Sequence, residues 1–320
     1  MIEPLLALAI AISLDMAAGD PRSALHPTAW TGRLIGRIIP YGKTGSAASE
    51  KIWGALFVTG VTALVVLCIA GFYMGVGLLA ALPAAVLSVA AGAVLLKSTI
   101  AIRGMERHAL DVLRPLEEGN IGAARERLSM IVKRDTSNLD RRRILSGVLE
   151  SVSENTVDGV TGPLFYFGIF GLFGAFVYRT VNTFDSMIGY RSGMFRNLGW
   201  FAAYSDRILN YLPARLTALV MVIASFLLRN DWRGSYRAIL RDSSRTESPN
   251  AGYPMAALAG ALGTALEKPG HYTIGDGAEP DISHVRSSIS IMKATCLLFC
   301  ALVTAPMVAV LSYIGWWIHV

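Results

Sequence analysis

Residues 53–96 form a run of 44 positions without a charged side chain. A helix needs about 20 consecutive apolar residues to cross a bilayer. The run therefore reads as two spans with a break near Gly75 and Gly77, a hairpin that returns the chain to the side it left. Composition agrees with membrane residence. Apolar residues make up 53% of the 320-residue chain and charged residues 16%, against about 25% charged in an ordinary globular protein. A disordered chain, a disulfide scaffold and most cytosolic enzymes are excluded. Cys68, Cys296 and Cys300 lie in apolar runs without a C-x-x-C neighbour, so they read as small buried thiols and not as a bridge or zinc site.

Further apolar runs fall at 4–18, 160–178, 215–228 and 289–314. The first has Glu3 where a secretory signal carries Lys or Arg, and reads as a retained anchor. Asp15 near its end is costly at membrane depth and marks a functional candidate. The 160–178 run holds Pro163 and Gly162, Gly168, Gly171 and Gly174. It is predicted to follow a broken or re-entrant path, with its non-helical backbone sheltered by protein. Residues 97–157 are charged and read as helices. Ile102, Met105, Ala109 and Val112 share one face, Glu118-Gly119-Asn120 interrupts it, and Ser137-x-x-Asp140 resembles a capping box. Leu145, Val148, Leu149 and Val152 then keep helical spacing. Gly275, Gly277 and Pro280 with three acids predict a mobile loop at about 274–282. The expected architecture is one all-α integral membrane domain over 1–320. It has four or five membrane segments, some of them re-entrant, and a polar helical insertion at about 97–157.

The net charge is +6, and eleven of the 29 Lys and Arg residues fall between positions 97 and 143. Basic flanks of membrane segments mark the cytoplasmic side, and they also suit anionic ligands such as nucleotides. Gly36 to Thr44 is one residue too long for a phosphate-binding loop and contains Pro40, so it is set aside. The informative polar strings lie beside the apolar runs: Asp20 and His26; Glu154, Asn155 and Asp158; Asn182, Asp185, Ser186, Tyr190 and Arg191; Asp206, Asn210 and Arg215; and Asn250. Carboxylates with Asn and Ser are hard oxygen ligands suited to Mg²⁺ and phosphate oxygens. For any one of them helix capping is the competing reading.

Five strings together, GDPRSALHPTAWTG at 19–32, ESVSENTVDGVTGPLFY at 150–166, NTFDSMIGYR at 182–191, DRILNYLPARL at 206–216 and SPNAGYPMAALAGALG at 248–263, closely resemble the adenosylcobinamide-phosphate synthase family of cobalamin biosynthesis. They run from end to end of the chain, and none is a generic motif. One departure is Ser205 before Asp206, where the family often carries two aspartates. That leaves Asp206 as the ligand to keep.

The resemblance implies a membrane-bound ligase. It would join adenosylcobyric acid to (R)-1-amino-2-propanol O-phosphate, or to aminopropanol, using ATP and Mg²⁺ with the corrinoid as substrate. Glu154, Asp158 and Asp185 are the expected catalytic carboxylates, and Asp185, Asp206 and Glu154 the expected metal ligands. Asp20, His26, Asn155, Asn182, Ser186, Tyr190, Arg191, Asn210, Arg215 and Asn250 are expected to bind substrate or nucleotide, the arginines at phosphate. Residence in the cell membrane is expected, with the active site on the cytoplasmic side, association with other enzymes of the pathway, and no nucleic acid partner. A transporter, suggested by broken glycine-rich segments, and a non-catalytic scaffold are the alternatives.

Overall fold

The computed structural model describes residues 2–20, 26–189 and 195–315. Fourteen helices and one small hairpin occur in them. In chain order the helices are α1 (Ile2–Ala18), α2 (Pro27–Ile38), α3 (Ala47–Val76), α4 (Ala81–Lys97), α5 (Ile102–Glu117), α6 (Ile121–Ser129), α7 (Arg141–Thr156), α8 (Gly162–Ile188), α9 (Trp200–Leu209), α10 (Tyr211–Leu227), α11 (Trp232–Asp242), α12 (Gly252–Leu262), α13 (Ile282–Phe299) and α14 (Ala305–Tyr313). Strands β1 (Leu266–Lys268) and β2 (Tyr272–Ile274) pair antiparallel between α12 and α13. Ala47–Val76, Ala81–Glu117, Arg141–Ile188 and Ile282–Tyr313 are long and apolar enough to cross a membrane. A fifth crossing arises if α9 and α10 count as one span. The protein is an all-α integral membrane protein, as expected. The 53–96 run divides at 77–80, where the glycines predicted it.

Contacts divide the chain into two compact units. The first comprises Met1–Ala101, Gly162–Leu209 and Leu302–Val320; the second comprises Ile102–Thr161 and Asn210–Ala301.

In the first unit α8 is not a rod. Phe170 (φ −126°, ψ 16°) and Gly171 (φ 61°, ψ −148°) leave helical geometry. The Gly171 conformation is one that only glycine adopts without strain. Gly162 meets the ring of Tyr178, and the Tyr166 and Tyr178 rings stack at 5.5 Å. Sixteen helical residues span about 24 Å, so Gly162 and Tyr178 touch only because the chain doubles back. The contacts 162 to 178 and 166 to 174 are symmetric about position 170. The break expected in the 160–178 run is therefore present, with its turn at Phe170–Gly171. A Cβ at Gly174 would lie 2.2 Å from the Tyr166 carbonyl oxygen. Because backbone cannot swing aside, Gly174→Ala should destabilise the protein by about 1–3 kcal/mol or more, read as a lower unfolding temperature in detergent.

Beneath the second arm of α8 lies an apolar core. Val181, Phe184 and Ile188 bury against Ile35 of α2, Val58 and Val61 of α3, and Leu198 and Ala202 at α9. Gly36 sits inside α2, and a 3₁₀ turn (Ile39–Gly42) follows, so no phosphate loop forms there.

The second unit is built around α7. Its Ile144, Leu145, Val148, Leu149 and Val152 are buried, as are Ile102, Met105, Ala109 and Val112 of α5. The predicted capping box at Ser137 shifts. Asp140 is the N-cap of α7 and accepts from the Arg143 N–H, while the Ser137 N–H donates to Asp135. The small hairpin escapes the sequence reading because its strands are three residues long. It is fixed from outside: Tyr272 donates to Glu150 of α7 at 2.8 Å, and Arg134 donates to the same carboxylate at 3.2 and 3.3 Å. Burial and the adjacent Glu150 charge push the Tyr272 phenol well above its ordinary range.

The segment at 274–282 is also more anchored than its composition suggests. The Gly275 N–H donates to buried Asp242, Asp276 pairs with Arg241, the Ala278 N–H donates to the Gly263 carbonyl, and Pro280 is buried. Asp281 closes it with a capping box on α13. Its exposed part is residues 276–279 and Asp281. Among the cysteines, Cys296 is buried but Cys68 faces outward from α3, a correction to the reading of three buried thiols.

Candidate functional site

Each unit gathers part of the polar strings. In the first, α8 carries Arg179, Asn182, Asp185 and Ser186 at spacings of three and four, one helical face. Asn182 is buried and donates to Asp206 of α9 at 3.2 Å, and Arg179 donates to the Asn182 oxygen at 3.4 Å. Asp206, Asn182 and Arg179 thus form one chain of hydrogen bonds. Asp185 is half-buried one turn on, its backbone carbonyl accepting from the Gly189 N–H. A Cβ at Gly189 would clash with the Asp185 carboxylate, so the glycine leaves that carboxylate room. Ser186 is exposed. Tyr190 and Arg191 lie outside the described residues. Helix α2 runs along the adjoining face of α8, Gly32 near Thr183 and Gly36 near Met187.

At the head of α2, His26 is the N-cap residue, and its Nε2 lies 3.4 Å from Asp20. Lys97 at the end of α4 reaches Asp20 at 2.6 Å and Asp15 at 3.5 Å. Asp15 is fully buried and Lys97 nearly so. Asp15 is thus held by a cation inside the protein. Lys97 is the residue the sequence reading missed. Its signal was a lone cation closing one apolar run while a lone carboxylate closes another. Partial burial raises the Asp20 pKa, but hydrogen bonds from His26 and Lys97 outweigh it and bring the group to about 2. A depressed carboxylate pKa contributes stability above its ordinary value near 3.8, lost as pH falls through the folded value. Wild type should therefore lose stability between about pH 4 and pH 2, and Asp20→Asn should flatten that slope in acid unfolding scans.

In the second unit, α7 ends at Thr156, inside the 150–166 string. A π turn, Val157–Thr161, follows directly and carries Asp158. Pro163 offers no N–H to the Gly159 carbonyl four residues back, and within the turn the Thr161 hydroxyl donates to the Thr156 carbonyl. Such π turns recur at functional sites. Glu154 is exposed and Asp158 half-buried, while their neighbours Ser151, Ser153 and Thr156 are buried. Asn155 folds back, donating to the Ser151 carbonyl at 2.9 Å, so in this state its amide serves its own helix.

Thr161 and Thr217 share a hydrogen bond of 2.6 Å that ties the π turn to α10. Two residues before Thr217, the Arg215 guanidinium lies over the rings of Tyr211 at 3.6 Å and Tyr253 at 4.3 Å, and donates to Asn250 at 3.2 Å. Asn210 and Asn250 are both buried. Glu154 belongs to the second unit, and Asp185 and Asp206 to the first. Among the described residues no three His, Cys, Asp or Glu side chains gather as metal ligands. Mg²⁺ keeps several waters and is commonly held by one or two carboxylates plus substrate phosphates. Asp185 and Asp206 are of the right donor type for that mode.

Fold and motifs define a multi-span helical membrane protein that carries carboxylate, amide and guanidinium clusters beside its apolar segments. The chain belongs to the CobD/Cbib protein family, whose model matches residues 8–309. It is 40% identical over 293 residues to the probable cobalamin biosynthesis protein CobD of Methanothermobacter thermautotrophicus, covering 91% of this chain and 94% of that one. It is also 40% identical over 282 residues to the cobalamin biosynthesis protein CobD of Dehalococcoides mccartyi, covering 87% and 89%. With the cobalamin biosynthesis protein CobD of Clostridium perfringens it shares 36% over 295 residues, 87% of this chain and 90% of that one. No solved structure matches it.

Proposed function

We propose that this protein is the ATP-dependent amide ligase of cobalamin biosynthesis that joins adenosylcobyric acid to (R)-1-amino-2-propanol O-phosphate, or to aminopropanol. A carboxylate is a poor electrophile. Attack of its oxygen on the ATP γ-phosphorus gives an acyl phosphate and ADP. The neutral amine then adds to the acyl carbon, phosphate leaves, and the amine proton passes to a base. Phosphoryl transfer rests on positioning and positive charge more than on a protein nucleophile. Glu154 or Asp158 serves as the base. Asp185 and Asp206 would hold Mg²⁺, which neutralises phosphate charge when bound. Asp20, His26, Asn155, Asn182, Ser186, Tyr190, Asn210 and Asn250 orient substrates, and Arg191 with Arg215 contacts phosphate. The site faces the cytoplasm from the cell membrane, where ATP is available.

Arg215 carries this reading. Two tyrosine rings and Asn250 hold its planar fork before any ligand arrives, the preorganisation that bidentate phosphate contact rewards. Arg215→Lys keeps the charge but loses fork and stacking. It should raise the KM for the phosphorylated ligand by about tenfold or more, the scale of one charge-assisted hydrogen bond. The direct test is mass spectrometry after incubating adenosylcobyric acid with protein, ATP, Mg²⁺ and aminopropanol phosphate. An amide product with stoichiometric ADP supports the ligase. The hairpin turn at Phe170–Gly171 favours transport as a second reading, which predicts corrinoid flux and no new bond.

A further inference from the structure

Helix α11 is divided into three lengthwise sectors. Ser235, Ala238, Ile239 and Asp242 are buried against the second unit. Beside them Trp232, Tyr236 and Leu240, at i, i+4 and i+8, are 38, 46 and 70% exposed. At 100° per residue these three fall within an arc of about 80°. Arg233 and Arg237 line its far edge, both exposed, and exposed Arg229 stands just before the helix. Two aromatics and a leucine presented outward beside a row of guanidiniums do not suit water alone.

The preceding helix says what covers them. Leu212, Leu219, Ile223, Phe226 and Leu227 of α10 are exposed and make one stripe, the form a lipid-facing helix takes. Phe226 at its end meets Trp232 edge to face at 6.1 Å. The two exposed apolar surfaces are therefore continuous, and arginines appear only on the second. Trp and Tyr concentrate at the headgroup level of a bilayer, and helices that lie in that plane pair an apolar face with Arg or Lys.

We propose that α11 lies in the membrane interface and is a binding surface for anionic phospholipid. Trp232, Tyr236 and Leu240 enter the boundary between headgroups and acyl chains. Arg229, Arg233 and Arg237 contact lipid phosphates. Arg237 lies 3.9 Å from Asp231, both side chains exposed, a loose pair that leaves the guanidinium accessible, whereas Arg241 takes no part, since it pairs with fully buried Asp242 and with Asp276. This surface is separate from the ligase reading and stands whatever reaction the protein performs.

The test uses the full-length protein in bilayer discs of phosphatidylcholine, with and without phosphatidylglycerol, each lipid brominated either near the headgroup or deep in the acyl chain. The signal is the fluorescence difference between wild type and Trp232→Phe, which isolates one of the six tryptophans. Shallow-brominated phosphatidylglycerol should quench it more than the deep label and more than phosphatidylcholine. In R229Q/R233Q/R237Q the preference for the anionic lipid should fall by on the order of tenfold. An unquenched Trp232 overturns the proposal, as does a shallow signal indifferent to lipid charge. These three arginines are exposed, so the variant should unfold at the wild-type temperature. If it does not, the wild-type comparison between the two lipids decides alone.

Discussion

Glu154→Gln and Asp185→Asn are each expected to lower amide formation by at least ~100-fold, the scale of losing a general base or a key electrostatic group. Yield and membrane insertion should stay near wild type. The expectation rests on a contrast four residues apart on one helix. Glu150 is buried and takes hydrogen bonds from Arg134, Ser146 and Tyr272, so its charge is used in holding the β1–β2 hairpin. Glu154 is exposed, and surface substitutions usually change stability by less than about 0.5 kcal/mol. Glu150→Gln should accordingly lower the unfolding temperature, while Glu154→Gln should lower turnover. In-vitro product formation and complementation of a corrinoid-requiring host separate the two. Normal turnover in folded Glu154→Gln and Asp185→Asn would remove both residues from the site and strengthen the scaffold and transporter readings.

Lys97→Met is expected to cost about 3–5 kcal/mol of stability, because it leaves the fully buried Asp15 without its cation. The double variant Asp15→Asn with Lys97→Met should recover part of that loss, since the uncompensated charge goes with its partner. Thermal unfolding in detergent measures both. A single variant as stable as wild type would mean that Asp15 is neutral or finds another donor. Asp20 adds a second readout. With Lys97 gone its pKa should climb back from about 2 toward 3.8, shifting the acid limb of stability upward in pH.

The membrane spans were legible because they depend on one property, an unbroken apolar run long enough to satisfy its own backbone. The 53–96 hairpin and the buried faces of α5 and α7 follow from that or from helical period. The turn within 162–188 was legible in kind but not in place. Glycines and a proline announce a break, yet which glycine takes positive φ is decided by how the two arms fit, Gly174 against Tyr166 and Gly162 against Tyr178. The β hairpin was invisible because Glu150 and Ser146, far away in sequence, hold it. At the site, the strings named the polar residues but not their partners. Asn182 with Asp206, and Arg215 with Asn250, are tertiary pairs that no local pattern encodes. Lys97 escaped for the same reason.

The doubled-back α8 also bears on how the protein is made. Its first arm, residues 162–170, is only about 13 Å long at helical rise, far short of the hydrocarbon thickness. Insertion machinery that partitions segments one at a time finds no stable transmembrane intermediate in that arm alone. The two arms must enter together, and 72% of the most apolar 18-residue window in Arg141–Ile188 ends up enclosed by protein. The hairpin is therefore a late tenant, admitted once neighbouring helices have made a place for it. A ribosome stalled with only the first arm emerged should leave that arm extractable by alkali, and the full hairpin should resist.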